Sequence, residues 1–261
     1  MTGVDISNLS KTYDQDGEGD GVEAVREVTL GIDPGEFVSI VGPTGCGKST
    51  IMEIVAGLIE PTAGEVTIDG EPVTGPRDDI GVVFQEDSTF PWRTVLQNVE
   101  FGLEMHGVDT ATRRERAREV IDLVGLNGFE GTYPNELSGG MRQRVAIGRT
   151  LVMNPDLMLM DEPFGALDEQ TRIILGDELL SIAAETGQTT VFVTHSINEA
   201  VHLSDRVAVM SARPGRIKEV VEVDLPRPRS ADVFGTDRFN ELTRRVWDLL
   251  KVEAKEGLEG E

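Results

Sequence analysis

The chain has 261 residues, 39% of them hydrophobic, which suits one α/β domain with attachments rather than two full domains. Lys plus Arg number 24 and Asp plus Glu 47, so 24 − 47 leaves a formal net charge of −23, a surface that repels nucleic-acid phosphates and argues against DNA or RNA as a partner. No apolar run of about 18 residues is present to span a membrane, and the first residues lack the basic-then-apolar order of a secretory signal. Three His and one Cys supply neither an ordinary structural zinc site nor an internal disulfide, so a reduced, cytoplasmic setting is expected.

Alternation of apolar and polar residues at 4–9 and 25–32 predicts two half-buried strands. Between them Asp14-Gln15-Asp16-Gly17-Glu18-Gly19-Asp20-Gly21 is acidic and glycine-rich. It lacks the full calcium-loop pattern, so a solvated hairpin connection is expected there. An apolar run at 36–41 leads into Gly42-Pro43-Thr44-Gly45-Cys46-Gly47-Lys48-Ser49-Thr50, and 48–58 reads as a helix. The loop fills every fixed position of G-x-x-x-x-G-K-[ST] in the strand, loop, helix context that this motif needs. Backbone N–H groups there point at phosphate oxygens, Lys48 reaches the β- and γ-phosphates, and Ser49 offers its hydroxyl to Mg²⁺. Gly45 and Gly47 let the backbone approach a nucleotide closely. Cys46 occupies a position the motif leaves open and reads as a small spectator. ATP with Mg²⁺ is the expected ligand.

Strands are predicted at 65–69 and 80–84, with Gln85 after the second, where its amide can reach a metal and a water. Helices at 95–105, 111–124 and 140–153 follow with no strand between them, an all-helical insert at about 87–155. Its run Arg113-Arg114-Glu115-Arg116 reads as a solvated helix face. Leu157-Met158-Leu159-Met160-Asp161 returns to a buried strand. Asp161 at its tip is suited to hold Mg²⁺ directly or through water, and Glu162 to polarise an attacking water. A helix at 169–185, a strand at 189–194, strands at 206–210 and 217–223, a break at Leu225-Pro226-Arg227-Pro228 and a helix at 239–252 complete the chain, with fraying beyond 255. His195, just after a strand, is suited to bond the γ-phosphate and orient Glu162 or the water. His106 and His202 lack such context and read as structural. Strands alternating with helices imply a largely parallel sheet.

Leu137-Ser138-Gly139-Gly140-Met141-Arg142-Gln143-Arg144 joins a good helix N-cap to two glycines that leave the backbone bare. Such a helix start can receive an anion, although the chain already has one phosphate cradle. This run resembles the signature of the ATP-binding cassette (ABC) family. Tyr13, 42–50, Gln85, the signature, 157–163, Ala166-Leu167-Asp168 and His195 fall in that family's order over nearly the whole chain. The resemblance implies an α/β fold: a P-loop NTPase (RecA-like) core with a mostly parallel sheet, an N-terminal antiparallel β subdomain and an inserted helical subdomain. Residues 1–225 would form the ATP-binding domain and 226–261 a C-terminal helical tail.

The same resemblance implies that Tyr13 stacks on adenine. It implies that Ser138, Gly139 and Gly140 close over ATP held by a second ATP-binding subunit, most simply another copy, and that Asp168 links the two sites. Implied partners are an integral membrane permease at the cytoplasmic face and, indirectly, a solute-binding protein. Phe90-Pro91-Trp92-Arg93, Met210-Ser211-Ala212-Arg213-Pro214-Gly215-Arg216-Ile217 and Pro226-Arg227-Pro228-Arg229 resemble importers for nitrate, sulfonates and taurine. Residues 86–93 would then receive a permease helix; the other reading of Phe90 and Trp92 is burial in the core. A soluble ABC-type ATPase of assembly or DNA repair is the alternative, but repair members carry a long coiled-coil insert and no sustained heptad run occurs here. A different P-loop class, such as a small-molecule kinase, has no use for 137–144.

Five lysines against 47 carboxylates resemble proteins from high-salt cytoplasm, where screening relieves self-repulsion. The melting temperature is therefore expected to rise between low salt and molar KCl; one that stays constant over that range refutes the reading.

Overall fold

The computed structural model describes residues 2–13 and 21–259, with side chains to 251; the hairpin connection expected at 14–20 lies outside the described residues. The first elements are β1 (Val4–Tyr13), β2 (Val22–Ile32), β3 (Phe37–Val41), α1 (Lys48–Val55), β4 (Ala63–Ile68), β5 (Glu71–Pro72) and β6 (Ile80–Val83). The helical run α2 (Val95–Val99), α3 (Phe101–Met105), α4 (Thr110–Leu123) and α5 (Gly139–Leu151) comes next. Then follow β7 (Leu157–Asp161), α6 (Glu169–Thr186), β8 (Thr189–Thr194), α7 (Ile197–Leu203), β9 (Arg206–Met210), β10 (Ile217–Glu222) and α8 (Asp237–Glu259).

Two sheets form. The smaller is antiparallel with order β2-β1-β4-β5, and the larger has order β10-β9-β3-β8-β7-β6. In the larger sheet β9, β3, β8, β7 and β6 are parallel and only β10 runs against its neighbour. Every residue of β3, β7 and β8 is buried. That suits strands covered on both faces, as parallel sheets are. One apolar core lies between the sheets, with Ile6, Leu9, Val38, Ile40, Ile51 and Ile68. A second joins the helical insert to the sheet through Val99, Ile121, Val145, Ile147, Met158 and Phe192. A third holds α7 and α8 on β9 and β10 through Val201, Val207, Val221, Phe239, Leu242 and Val246. No helix of the described residues is long and apolar enough to cross a membrane.

Several boundaries differ from the sequence expectation. α1 stops at Val55 rather than 58, because Gly57 at φ 71° takes the left-handed turn that ends a helix. The helix expected over 95–105 divides at Glu100, whose buried carboxylate is drawn toward Arg113 and Arg114 at 3.3 and 3.7 Å. α7 was not foreseen: seven residues are too few for a periodic signal, and its start depends on Ser196, whose Oγ accepts the Glu199 N–H. α8 continues through 255 to Glu259, where fraying was expected; Glu, Ala and Lys at 253–256 favour helix.

The connection from β10 to α8 is held by Arg229, whose side chain is 1% exposed. It donates to the carbonyls of His202, Ser204, Val223 and Leu225. Burial pulls its pKa down to about 10. Arg229→Met leaves these carbonyls without their donor and is expected to cost on the order of 3 kcal/mol in urea unfolding. A loss below about 1 kcal/mol refutes this account of the connection.

Candidate functional site

The expected site residues gather because carboxyl ends of adjacent parallel strands share one edge of the sheet. The glycine loop leaves β3, His195 follows β8, Asp161 closes β7 with Glu162 next, and Gln85 lies two residues beyond β6. Over that edge is a cleft of about 570 Å³, lined by Tyr13, Val22, Ala24, Thr44, Gly45, Gly47, Lys48, Ser49, Thr50, Gln85, Glu162, His195 and Arg213.

Within the loop, Lys48 is 6% exposed and its Nζ donates to the carbonyls of Gly42 and Pro43 at 3.0 and 3.1 Å. Those two residues and Cys46 do not line the cleft. Cys46 is buried beneath the loop, its Sγ 2.7 Å from where a Cβ on Gly42 would sit. Gly47 has φ 95°, and a Cβ there would lie 2.4 Å from Val25 Cγ1 and 2.9 Å from the Ala24 carbonyl. Only glycine fits between the loop and β2.

Asp161 lies just below the cleft and accepts a hydrogen bond from the Ser49 hydroxyl. Burial raises its pKa above the ordinary carboxylate value against the lowering effect of Ser49. Glu162 has φ 46°, a left-handed backbone uncommon outside glycine, and its N–H is held by the Val193 carbonyl at 2.9 Å. Its Oε2 lies 3.1 Å from His195 Nδ1 and accepts from Gln85 Nε2 at 3.4 Å. Two side chains far apart in sequence thus converge on one carboxylate oxygen. Ser49 Oγ, Asp161 and the Gln85 amide oxygen are hard donors, which suit Mg²⁺ when phosphate oxygens complete its shell. Among the described residues no group of three or more His, Cys, Asp or Glu could hold a metal ion.

Tyr13 is 40% exposed, and its hydroxyl is 3.3 Å from Thr50 Oγ1. Ser138, Gly139, Gly140 and Asp168 do not line the cleft. Ser138 Oγ accepts the Met141 N–H at 3.3 Å, capping α5. Gly140 abuts the loop before α6: a Cβ there would be 3.1 Å from the Ala166 carbonyl. Asp168 caps α6 by accepting from Thr171 N and Oγ1 at 3.0 and 2.7 Å. His202 is buried against Asp177 at 2.8 Å and His106 Nδ1 faces the Gly102 carbonyl, both outside the cleft as expected.

The segment after Gln85 is pinned to the helical insert. Arg142 Nε donates to Asp87 at 2.8 Å, Arg149 donates to the Ser88 carbonyl and hydroxyl, and the Asn98 side chain bonds Phe90, Arg93 and Thr94. Phe90 is half-buried, 4.7 Å edge-on to Phe101, whereas Trp92 is 71% exposed and so not in the core. Arg213 escaped the sequence reading of the site. Its turn, Arg213-Pro214-Gly215, gives no hint of the glycine loop 168 residues earlier.

Residues 25–165 match the ABC transporter family. An uncharacterized ABC transporter ATP-binding protein from Methanocaldococcus jannaschii is 50% identical, covering 97% of this chain and 93% of its own length. An aliphatic sulfonates import ATP-binding protein from Bacillus cereus and a taurine import ATP-binding protein from Roseobacter denitrificans are each 42% identical, covering 93% and 95% of this chain and 94% and 96% of theirs. A solved dimeric structure of a post-hydrolysis state of an ATP-binding cassette, bound to ADP and phosphate, aligns with a TM-score of 0.78 at 38% identity, covering 85% of this chain and all of its own.

Since burial favours the protonated form of Asp161, its contribution to stability is greatest below the unfolded pKa and is lost as pH rises through the folded value. Asp161→Asn removes that penalty. Without nucleotide the variant is expected to melt higher than wild type near pH 8, with the gain fading toward about pH 4. Equal melting temperatures near pH 8 refute the assignment.

Proposed function

This chain belongs to the ABC transporter family, and on that premise we propose that it is the ATP-hydrolysing subunit of a membrane importer for a small solute such as a sulfonate, taurine or nitrate. The observation that carries the reading is a division within the chain. One cleft collects the phosphate loop, Gln85, Glu162 and His195, while the capped Ser138-Gly139-Gly140 corner lies outside it. A second ATP-binding subunit, most simply another copy, would bring its own corner to this cleft and complete the grip on ATP. The dimeric neighbour structure supports pairing.

In this reading Lys48 leaves the Gly42 and Pro43 carbonyls for the β- and γ-phosphates, and the N–H groups of 45–50 receive the remaining oxygens. Tyr13 stacks on adenine. Ser49, Gln85 and Asp161 would hold Mg²⁺, which neutralises charge on the β- and γ-phosphate oxygens when bound. Glu162 polarises the attacking water, and His195 fixes the orientation of Glu162 and bonds the γ-phosphate. Asp168 links the two sites across the pair. Residues 1–225 act as the ATP-binding domain, with the helical insert at about 87–155, and 226–261 as an attached tail.

Coupling to transport follows from the pinned segment. Gln85 senses the ligand, and 86–93 is tied to α5, the helix that begins at the Ser138 corner. Closure and opening of the pair therefore move the exposed Trp92. We place an integral permease on that face, at the cytoplasmic side of the membrane, with a solute-binding protein supplying the cargo.

Glu162→Gln is expected to bind ATP and hydrolyse it at least ~100-fold more slowly, accumulating an ATP-bound dimer on size exclusion. Affinity capture of that trapped dimer from its native membrane should retrieve a polytopic membrane protein. A monomer in saturating Mg·ATP refutes the shared grip, and a purely soluble partner refutes the importer.

A further inference from the structure

The turn between β9 and β10 forms part of the cleft wall. Gly215 pairs with β2: its N–H donates to the Ala24 carbonyl and its carbonyl accepts from Arg26 N, both at 2.9 Å. On its other side, a Cβ on Gly215 would lie 1.9 Å from the Cys46 carbonyl, so the turn is wedged directly beneath the phosphate loop. The turn is closed by Ser211 N donating to the Arg216 carbonyl at 2.9 Å.

This wedge fixes where Arg213 projects. Its Nε donates to the Gly45 carbonyl at 3.2 Å, and Nη2 lies 3.3 Å from where a Cβ on Gly45 would sit. Its terminal nitrogens make no hydrogen bond or ion pair among the described residues. That is unusual here, because carboxylates outnumber Lys and Arg 47 to 24 and most arginines of the structure have a carboxylate beside them. Besides Lys48, Arg213 is the one Lys or Arg among the described residues that lines the cleft. An arginine fixed on the phosphate loop by its Nε, with its fork at the wall of the cleft, is disposed to take a phosphate oxygen.

We propose that Arg213 is a phosphate-contacting residue of the nucleotide cleft: its Nε holds the Gly45 carbonyl while its terminal nitrogens bond the polyphosphate of the bound nucleoside triphosphate. The inference rests on the reading of this cleft as the ATP site. The contact gives a strongly anionic protein a second fixed cation for an anionic ligand, and a spring-stiff support for the loop that receives it.

Two substitutions separate charge from tether. Arg213→Gln keeps a donor for the Gly45 carbonyl but loses the charge. Arg213→Lys keeps a charge but loses the fork. Calorimetric titration of full-length protein with ATP, with Lys48→Ala as control, is expected to give about tenfold weaker binding for Arg213→Gln and a loss within about threefold for Arg213→Lys. Melting temperatures should match wild type. Wild-type affinity in Arg213→Gln, or equal losses in both variants, overturns the phosphate contact. If Lys48→Ala also binds ATP as tightly as wild type, the cleft reading itself falls; if only that control loses affinity, the cleft stands and the Arg213 proposal alone fails.

Discussion

The run β3, β8, β7, β6 is packed between other elements, so its strands carry apolar side chains and leave chemistry to the residues at and after their carboxyl ends. Every functional candidate in the cleft from these strands obeys that constraint. The phosphate loop, His195, Glu162 and Gln85 belong to four successive strand ends in space, though not in sequence. Their spacing along the sheet edge follows from the spacing of strands, a few ångströms apart. Loss of the parallel order would scatter them.

An anionic ligand meets an anionic protein here, and local dipoles must override the field of the whole. The loop offers backbone N–H groups, the start of α1 adds its dipole, and Lys48 and Arg213 supply fixed charge. The buried Asp161 works in the opposite direction. Its raised pKa records the cost of burying a carboxylate, which the Ser49 hydroxyl and the nearby Lys48 charge offset only in part.

The helical insert is not a loose appendage on this cleft. Arg142 and Arg149 reach from α5 to Asp87 and Ser88, and Gln143 Nε2 bonds the Phe84 carbonyl at 3.4 Å. On the far side of the sheet edge, Glu199 accepts from Thr194 and pairs with Arg172, whose Nη2 donates to the Leu167 carbonyl. The residue before His195 is therefore tied to the residue before Asp168. Both links run from the cleft to surfaces outside it, the arrangement needed if a bound ligand is to be felt at a partner.

Much of the site was legible because its residues sit in short local patterns. The glycine loop, the Ser-Gly-Gly corner and the Asp161-Glu162 pair each announce themselves within a few residues, since local backbone geometry demands particular side chains there. The strands were legible too, apart from the two-residue β5, and so was α1 except at its end, where one glycine, Gly57, sets the boundary. α7 and the division at Glu100 escaped because a short capped turn and a buried ion pair leave no periodic trace. The exposure of Trp92 and the half-burial of Phe90 could not be distinguished from pattern alone, because adjacent aromatics read alike until packing separates them. What the amino-acid order determined by itself was the chemistry on offer: an acidic chain, a phosphate cradle, and a metal-suited carboxylate beside a second one. Tertiary structure alone decided which of these meet. It brought Glu162 to His195 and Gln85, kept Ser138 away from Lys48, and set Arg213 against Gly45, because distances between remote residues follow from strand order and packing rather than from any local rule.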